Sequence, residues 1–192
     1  MREEEMKRTN LISVIIVVLI IVAVLISVFP PKATGKNIEE AIEKSGRHVV
    51  KVIHLEKIMD GDVVFFYKSI NGGKDTTLAA GYTKKTFWGW EWVNGGEQSR
   101  ASEEPGQSIT VQYFPATKDT PFPIAYGEIS DPQIIRVSVQ TDKRAKEKEA
   151  SIVKNGTTSI WFVFLNPSDG TQIRANGLSQ SGQTLISNSF SL

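Results

Sequence analysis

The pattern of hydrophobic and polar positions changes near residue 30, from a continuous apolar run to a mixture of apolar and polar residues. Residues 11–29 carry 16 Leu, Ile, Val or Phe side chains among 19 positions, and no charge. As a helix this run extends about 28 Å, close to the thickness of the hydrocarbon core of a bilayer. The pattern predicts a transmembrane helix over 11–29. A secretory signal cleaved after Gly35 is the alternative, although the apolar part of such a signal is usually shorter.

Beyond residue 36 the apolar positions indicate one short helix and then strands. Ile38, Ala41 and Ile42 fall on one face of a helix predicted over 38–45, and Asn37 can cap its first turn. Short runs rich in β-branched and aromatic residues follow, separated by Asn-Gly, Asp-Gly and proline turns. The predicted strands are 48–58, 63–70, 76–83, 86–93, 109–114, 124–129, 134–140, 150–154, 159–165 and 171–178, the last of which can extend further. The charged octet 142–149 is predicted to be a solvated loop.

These elements define a mainly β (α+β) fold class behind an N-terminal transmembrane helix. The first half is predicted to be a short helix with an antiparallel meander, and the second an antiparallel β-sandwich-like half, because turns recur every 8 to 12 residues or so. The prolines between 115 and 123 mark the junction. The predicted divisions are a tail at 1–10, the helix at 11–29, a linker at 30–36, and two halves at 37–118 and 119–192.

The run 159–165 is apolar on both of its faces. In a strand, Trp161 and Val163 share one face, and Ile160, Phe162 and Phe164 share the other. A strand of this kind must be covered on both sides. We therefore predict that it lies at the centre of the second half.

Charge and cysteine content restrict the class of protein. The net charge is +1, with 22 basic and 21 acidic residues, which gives no electrostatic case for a nucleic acid or an acidic polymer. The chain has no cysteine, so a fold held by its core alone is expected outside the cell. Lys7 and Arg8 precede the apolar run and about 160 residues follow it. We expect a single-pass protein of the cell membrane with a cytoplasmic N-terminus and an external C-terminal domain.

Residues 87–92 carry the most distinctive side chains, three tryptophans at alternate positions. In an extended strand, Trp88, Trp90 and Trp92 project from one face at intervals of about 6–7 Å. Such a row can stack on sugar rings, or it can pack as a half-buried face beneath the helix. We interpret the row as structural, and a ligand or interface role for Trp88, Trp90 and Trp92 is the alternative.

Reactive side chains form no recognisable catalytic pattern. His48 and His54 are six positions apart on a predicted strand, about 20 Å, so they cannot share a metal ion. Ser151 and Lys154 match a Ser-x-x-Lys pattern that requires a helix, whereas this run reads as a strand. We expect no metal, no cofactor and no catalytic residue.

Several stretches resemble single-pass exported proteins of Bacillus-type Gram-positive bacteria. They are YTKKTFWGW at 82–90 with NGG at 94–96, and YGEI at 126–129 with DPQI at 131–134 and IWFVF at 160–164. The resemblance covers most of the chain beyond the apolar run. It implies a bacterial origin and the same topology, and it assigns no catalytic residue.

Together these features predict a non-enzymatic, membrane-anchored domain that interacts or senses in the cell envelope. Its expected partners are the lipid bilayer, through residues 11–29, and an envelope protein or a wall glycan. A glycan-binding protein, or a glycan-acting envelope enzyme using the tryptophan face, is the alternative.

Overall fold

The computed structural model describes residues 14–24, 33–96 and 107–191. These residues form a mainly β fold of antiparallel sheets with two α-helices, as the sequence predicts. Helix α1 covers residues 14–24, inside the predicted transmembrane run, and residues 11–13 and 25–29 of that run lie outside the described residues. Within the described ranges, no helix has the length and apolarity needed to cross a bilayer.

Sheet A is an antiparallel meander with one added edge strand. Its strands are β1 (Thr34–Gly35), β2 (Val49–Ile58), β3 (Gly61–Ile70), β4 (Asp75–Thr86) and β5 (Gly89–Gly96). Their order across the sheet is β1-β5-β4-β3-β2. The turn between β2 and β3 falls at Met59 and Asp60, where the sequence predicts a hairpin. β1 pairs antiparallel with β5, so that Gly35 lies opposite Trp90.

Helix α2 (Ile38–Lys44) forms where the sequence predicts it. The Asn37 side chain caps its first turn by accepting a hydrogen bond of 2.8 Å from the backbone N–H of Glu40. The predicted apolar face, which consists of Ile38, Ala41 and Ile42, is buried. Only a glycine fits at position 35, because a Cβ there would come within 2.4 Å of the α2 backbone. The helix therefore packs closely against β1 and covers one face of sheet A.

Sheets B and C each contain four antiparallel strands. Sheet B has the order β10-β11-β7-β6 and consists of β6 (Gln112–Phe114), β7 (Ile124–Ile129), β10 (Ser151–Asn155) and β11 (Thr158–Phe164). Sheet C has the order β13-β12-β8-β9 and consists of β8 (Arg136–Thr141), β9 (Arg144–Glu149), β12 (Gln172–Leu178) and β13 (Thr184–Ser191). The chain passes from B to C, back to B, and again to C. β6 precedes the predicted junction and pairs with β7 beyond it.

The elements stack in four layers, in the order α2, sheet A, sheet B and sheet C, with an apolar core in each gap. Both faces of strand β11 are covered, as predicted, but one face is covered by sheet A of the first half, so that sheet B is the central sheet. Trp161 and Val163 of β11 are buried against sheet C, while Ile160 and Phe162 are buried against sheet A. Phe164, half-buried, packs on the same side as Phe162.

The prediction of a solvated loop over 142–149 is wrong. Most of this octet forms β9, which pairs with β8 at the edge of sheet C. Its charges are tolerated because an edge strand leaves one side open to water, and charged residues at such an edge also discourage pairing with other chains. Arg136 of β8 forms an ion pair with Glu149 of β9 at 2.8 Å.

Candidate functional site

Trp92, the last member of the tryptophan row, lies in the core between α2 and sheet A. Trp92 is 8% exposed, and its ring packs edge to face against that of Phe66 at a centroid distance of 5.9 Å. The guanidinium of Arg47 lies 5.0 Å from the ring centroid, at cation–π distance. Burial lowers the pKa of Arg47, yet the group keeps its charge because the ordinary value is so high. Trp92 therefore has the position of a structural residue.

Two glycines in the neighbouring strands make room for the Trp92 ring. A Cβ at Gly81 of β4 would lie 1.9 Å from the Cη2 atom of Trp92, and one at Gly95 of β5 would lie 2.6 Å from its Cζ2 atom. Such distances are far inside van der Waals contact. The Asn-Gly-Gly sequence at residues 94–96 lies within β5, and its Gly95 makes room for a large aromatic ring.

The other two tryptophans have different surroundings. Trp90 is half-buried and packs against the apolar cluster between α2 and sheet A, which we call the α2 cluster and which consists of Ile38, Ile42, Val64, Phe66, Ala79 and Trp92. Trp88 lies with Phe87 in the turn between β4 and β5, before the strand begins at Gly89, whose φ is +116°. Phe87 is 87% exposed and Trp88 37% exposed, and their rings meet edge to face at 5.8 Å. The prediction of one extended run through all three tryptophans is wrong at Trp88, because the hairpin turn falls later than expected.

The two histidines occupy separate environments. His48 is exposed, with its Nδ1 atom 3.3 Å from the Glu43 carboxylate. The Nε2 atom of His54 lies 3.0 Å from the Glu56 carboxylate, and its ring packs against Phe162 between sheets A and B. In the described part of the chain, no three histidine or acidic side chains are grouped as metal ligands.

Ser151 and Lys154 both lie on β10, as the sequence predicts. Three positions apart on a strand, their side chains leave opposite faces of the sheet. Lys154 therefore cannot serve as the base for Ser151.

An open cleft of about 710 Å³ lies over one end of sheet C, and we call it the sheet C cleft. One of its lining residues is Arg174 of β12, which is paired in register with Gln140 of β8 on one side and with Ser189 of β13 on the other. The cleft is lined by Gln140, Thr141, Asp142, Lys143, Arg144, Gln172, Ile173, Arg174, Ser189, Phe190 and Ser191. Three of these side chains are cationic and one is anionic.

The rim of the cleft is held by Asp142, in the turn that follows β8. Its Oδ1 atom accepts hydrogen bonds from the backbone N–H groups of Thr171 at 3.1 Å and Gln172 at 3.2 Å. Gly170 permits this approach, since a Cβ there would lie 1.9 Å from the same oxygen. The only acidic side chain of the lining is thus engaged with the backbone of the next strand.

A second carboxylate, that of Asp169, fixes Arg144 at the cleft. Asp169 is 6% exposed and lies 3.3 Å from the Arg144 guanidinium. Burial alone would raise the pKa of Asp169, but hydrogen bonds from Asn166 and the charge of Arg144 outweigh it, so that the pKa is lowered. Asp169 is therefore ionised at neutral pH and neutralises Arg144.

Two cations of the cleft remain available to a ligand. Among the described residues, neither the Arg174 guanidinium nor the Lys143 ammonium has a hydrogen-bond or ion-pair partner. The Thr141 hydroxyl also has no partner among the described residues, but its oxygen is buried. A planar guanidinium with free donors matches the two oxygens of a carboxylate or phosphate. The chemistry of the sheet C cleft is therefore suited to binding an anion.

Sequence reasoning missed the sheet C cleft. Its polar residues come from β8, the turn after it, β9, β12 and β13, and along each strand they look like an ordinary solvated face. The only signal is alternation, which places Gln172 and Arg174 on one face of their strand. Comparison with family models, curated proteins and solved structures gives no match for this chain.

Proposed function

We propose that the chain is a membrane-anchored, extracytoplasmic and non-enzymatic domain that binds an anionic ligand of the cell envelope in the sheet C cleft. The ligand class is a polymer or glycan that carries carboxylate or phosphate groups. The observation that carries the proposal is the Arg174 guanidinium, which lines an open cleft and has no hydrogen-bond or ion-pair partner among the described residues.

The described part of the apolar run supports the anchor. α1 is helical, and its side chains are exposed although they are all apolar, as Leu19 at 61% and Ile20 at 57% illustrate. A water-facing apolar surface of this kind is unusual for a folded protein and is expected to be covered. A bilayer is the covering that matches the length of the uncharged run in the sequence, 11–29.

The balance of charge in the cleft supports an anionic ligand. Lys143, Arg144 and Arg174 oppose Asp142 in the lining, and Asp169 stands behind Arg144. The residual charge is positive although the net charge of the whole chain is only +1. Gln140 and Ser189 beside Arg174 add uncharged donors and acceptors, as sugar hydroxyls require.

The alternative of glycan stacking on the tryptophan row has less support. Trp92 is buried and Trp90 is half-buried, so the three rings do not form one open platform. Neutral glycan is nevertheless included as a ligand in the experiment below, because it separates the two hypotheses directly.

Arg174→Gln is expected to weaken binding of an anionic wall polymer by about tenfold or more, since a hydrogen bond to a charged group contributes about 1.5–3 kcal/mol. The measurement is a calorimetric titration of the full chain in lipid nanodiscs with polyglycerol phosphate, polygalacturonate and neutral dextran. Binding of the two anionic polymers should also weaken as salt is added.

Arg136→Gln is the matched control for this titration. Arg136 is also an arginine of sheet C, but it is paired with Glu149 and lies outside the lining of the cleft. Its substitution should change affinity by no more than about twofold, because exposed ion pairs contribute little. Equal effects of the two substitutions, or dextran binding that Arg174→Gln leaves unchanged, would contradict the proposed site.

The proposed topology places residues 2–10 in the cytoplasm and residues 36–192 outside. Protease added to intact protoplasts of a Gram-positive host is expected to remove the external domain and to spare a tag at residue 2. The readout is immunoblotting of the tag and of the domain. Lysed protoplasts, in which both should be digested, are the control, and digestion of the tag with survival of the domain would reverse the orientation.

A further inference from the structure

The exposed apolar side chains of sheet A are concentrated at one end. Met59, in the turn between β2 and β3, is 68% exposed, and Phe87 and Trp88 occupy the turn between β4 and β5. The register places both turns at the same end, because Gly61 pairs with Lys84 at the start of β3. We call Met59, Phe87 and Trp88 the apolar tip.

Three lysines and two aspartates, Asp60 and Asp62, flank the apolar tip, so that the lysines are in slight excess. Lys57 and Lys85 are exposed at the ends of β2 and β4, and Lys84 extends to Asp60 at 3.0 Å. Aromatic side chains flanked by lysines are typical of the headgroup region of a bilayer, where an apolar ring and a cation are both accommodated.

The covalent chain keeps this end of sheet A near the membrane. The base of the β4–β5 turn touches β1, since a Cβ at Gly89 would lie 2.3 Å from the carbonyl oxygen of Gly35. Only five residues lie between Phe29, the last residue of the apolar run, and Gly35, and the six Cα–Cα steps that join the two extend at most about 22 Å. The β4–β5 turn is therefore tethered within a short reach of the place where the chain leaves the bilayer.

We propose that the apolar tip inserts into the headgroup region of the same bilayer that anchors the chain, and so fixes the orientation of the domain on the membrane. This inference rests on the proposed anchor at residues 11–29. The occupant of the tip is a lipid surface containing anionic lipid.

The geometry of the tip favours lipid over a stacked ligand. Phe87 and Trp88 meet edge to face, at an interplanar angle of 86°, so they offer no flat platform to a sugar ring. Met59 on the adjacent turn adds a flexible apolar side chain and no directional contact. These side chains suit a fluid apolar medium, which requires no fixed shape.

The test uses tryptophan emission of the full chain in vesicles of phosphatidylglycerol and phosphatidylcholine, with acyl chains either brominated near the headgroup or unmodified. Bromine quenches only rings that it contacts, and Trp92 and Trp161 are buried in the protein. Brominated lipid is expected to remove most of the emission contributed by Trp88. The difference between the wild-type chain and Trp88→Phe isolates that contribution while an aromatic ring stays at the tip.

Phe87→Asp is expected to abolish most of the quenching of Trp88, because a charge at the tip opposes insertion. The matched control is Val50→Asp, which places the same charge on an exposed apolar residue at the opposite end of β2 and should leave the quenching unchanged. Emission of Trp88 that is equal in brominated and unmodified vesicles would overturn the inference.

Flotation of the same vesicles separates this inference from the proposed anchor. If the chain floats with the vesicles and Trp88 is not quenched, the anchor stands and the tip proposal is wrong. If the chain does not float, the anchor is wrong and the tip proposal falls with it. Quenching that Phe87→Asp leaves intact would show contact elsewhere and would also refute the tip as the site of insertion.

Discussion

Trp92→Ala is expected to lower the free energy of unfolding by about 3–5 kcal/mol, the usual range for truncation of a buried aromatic side chain. The ring is enclosed by Phe66, Arg47 and the apolar face of α2, and it lies over glycines in β4 and β5. Those glycines cannot fill the space that the ring leaves. Thermal unfolding of the full chain in nanodiscs, followed by circular dichroism, should show a lower melting temperature by roughly 2–4 °C per kcal/mol.

Trp88→Ala is the matched control, because it removes the same side chain from the exposed turn. Its effect on unfolding should stay within about 0.5 kcal/mol, as for most surface substitutions. Similar losses from the two substitutions would mean that Trp92 is not the packing residue described above. An unchanged melting temperature for Trp92→Ala would contradict the core between α2 and sheet A.

Trp161→Ala is expected to destabilise the fold by a similar amount, about 3–5 kcal/mol, through a different core, the one between sheets B and C. Trp161 is fully buried between sheets B and C. Its Nε1–H group donates a hydrogen bond of 3.0 Å to the carbonyl oxygen of Thr110. Gly127 makes this contact possible, since a Cβ there would lie 2.7 Å from Nε1. Urea unfolding should show a lower midpoint with an unchanged m value.

Trp161→Phe divides this effect into its two causes. Phenylalanine keeps most of the apolar packing but leaves the Thr110 carbonyl without its donor, which costs about 1–3 kcal/mol. The phenylalanine variant should therefore lie between the wild-type chain and the alanine variant. If it is as stable as the wild-type chain, the indole hydrogen bond contributes nothing to the fold.

Local signals predicted much of the fold because they are physical causes that act within a few residues. Asn37 caps α2, and the Met59 and Asp60 turn closes the first hairpin, as their side chains and neighbours indicate. The central position of β11 followed from its two apolar faces. Strand β9 was missed because its charge pattern is typical of a loop, and only pairing with the distant β8 makes it a strand.

The tryptophan row illustrates how one turn changes a site. Alternation correctly relates Trp90 to Trp92, which both pack against the α2 cluster. It fails at Trp88, because the backbone turns there and the glycine that follows adopts a positive φ. The sheet C cleft could not be predicted at all, since Arg174 meets Gln140 and Ser189 only through strand pairings across 34 and 15 residues of sequence.

The alternation of the chain between sheets B and C has a consequence for when the domain can fold. β7 pairs with β11, and two strands of sheet C, β8 and β9, lie between them in the sequence. In the same way β8 can pair with β12 only after β10 and β11 have been synthesised. The core between these sheets thus cannot close until nearly the whole chain is present, to about Leu178. Loop closure of this length makes folding slow. If the domain is exported as proposed above, such an arrangement would keep it unfolded until its last strands emerge on the far side of the membrane.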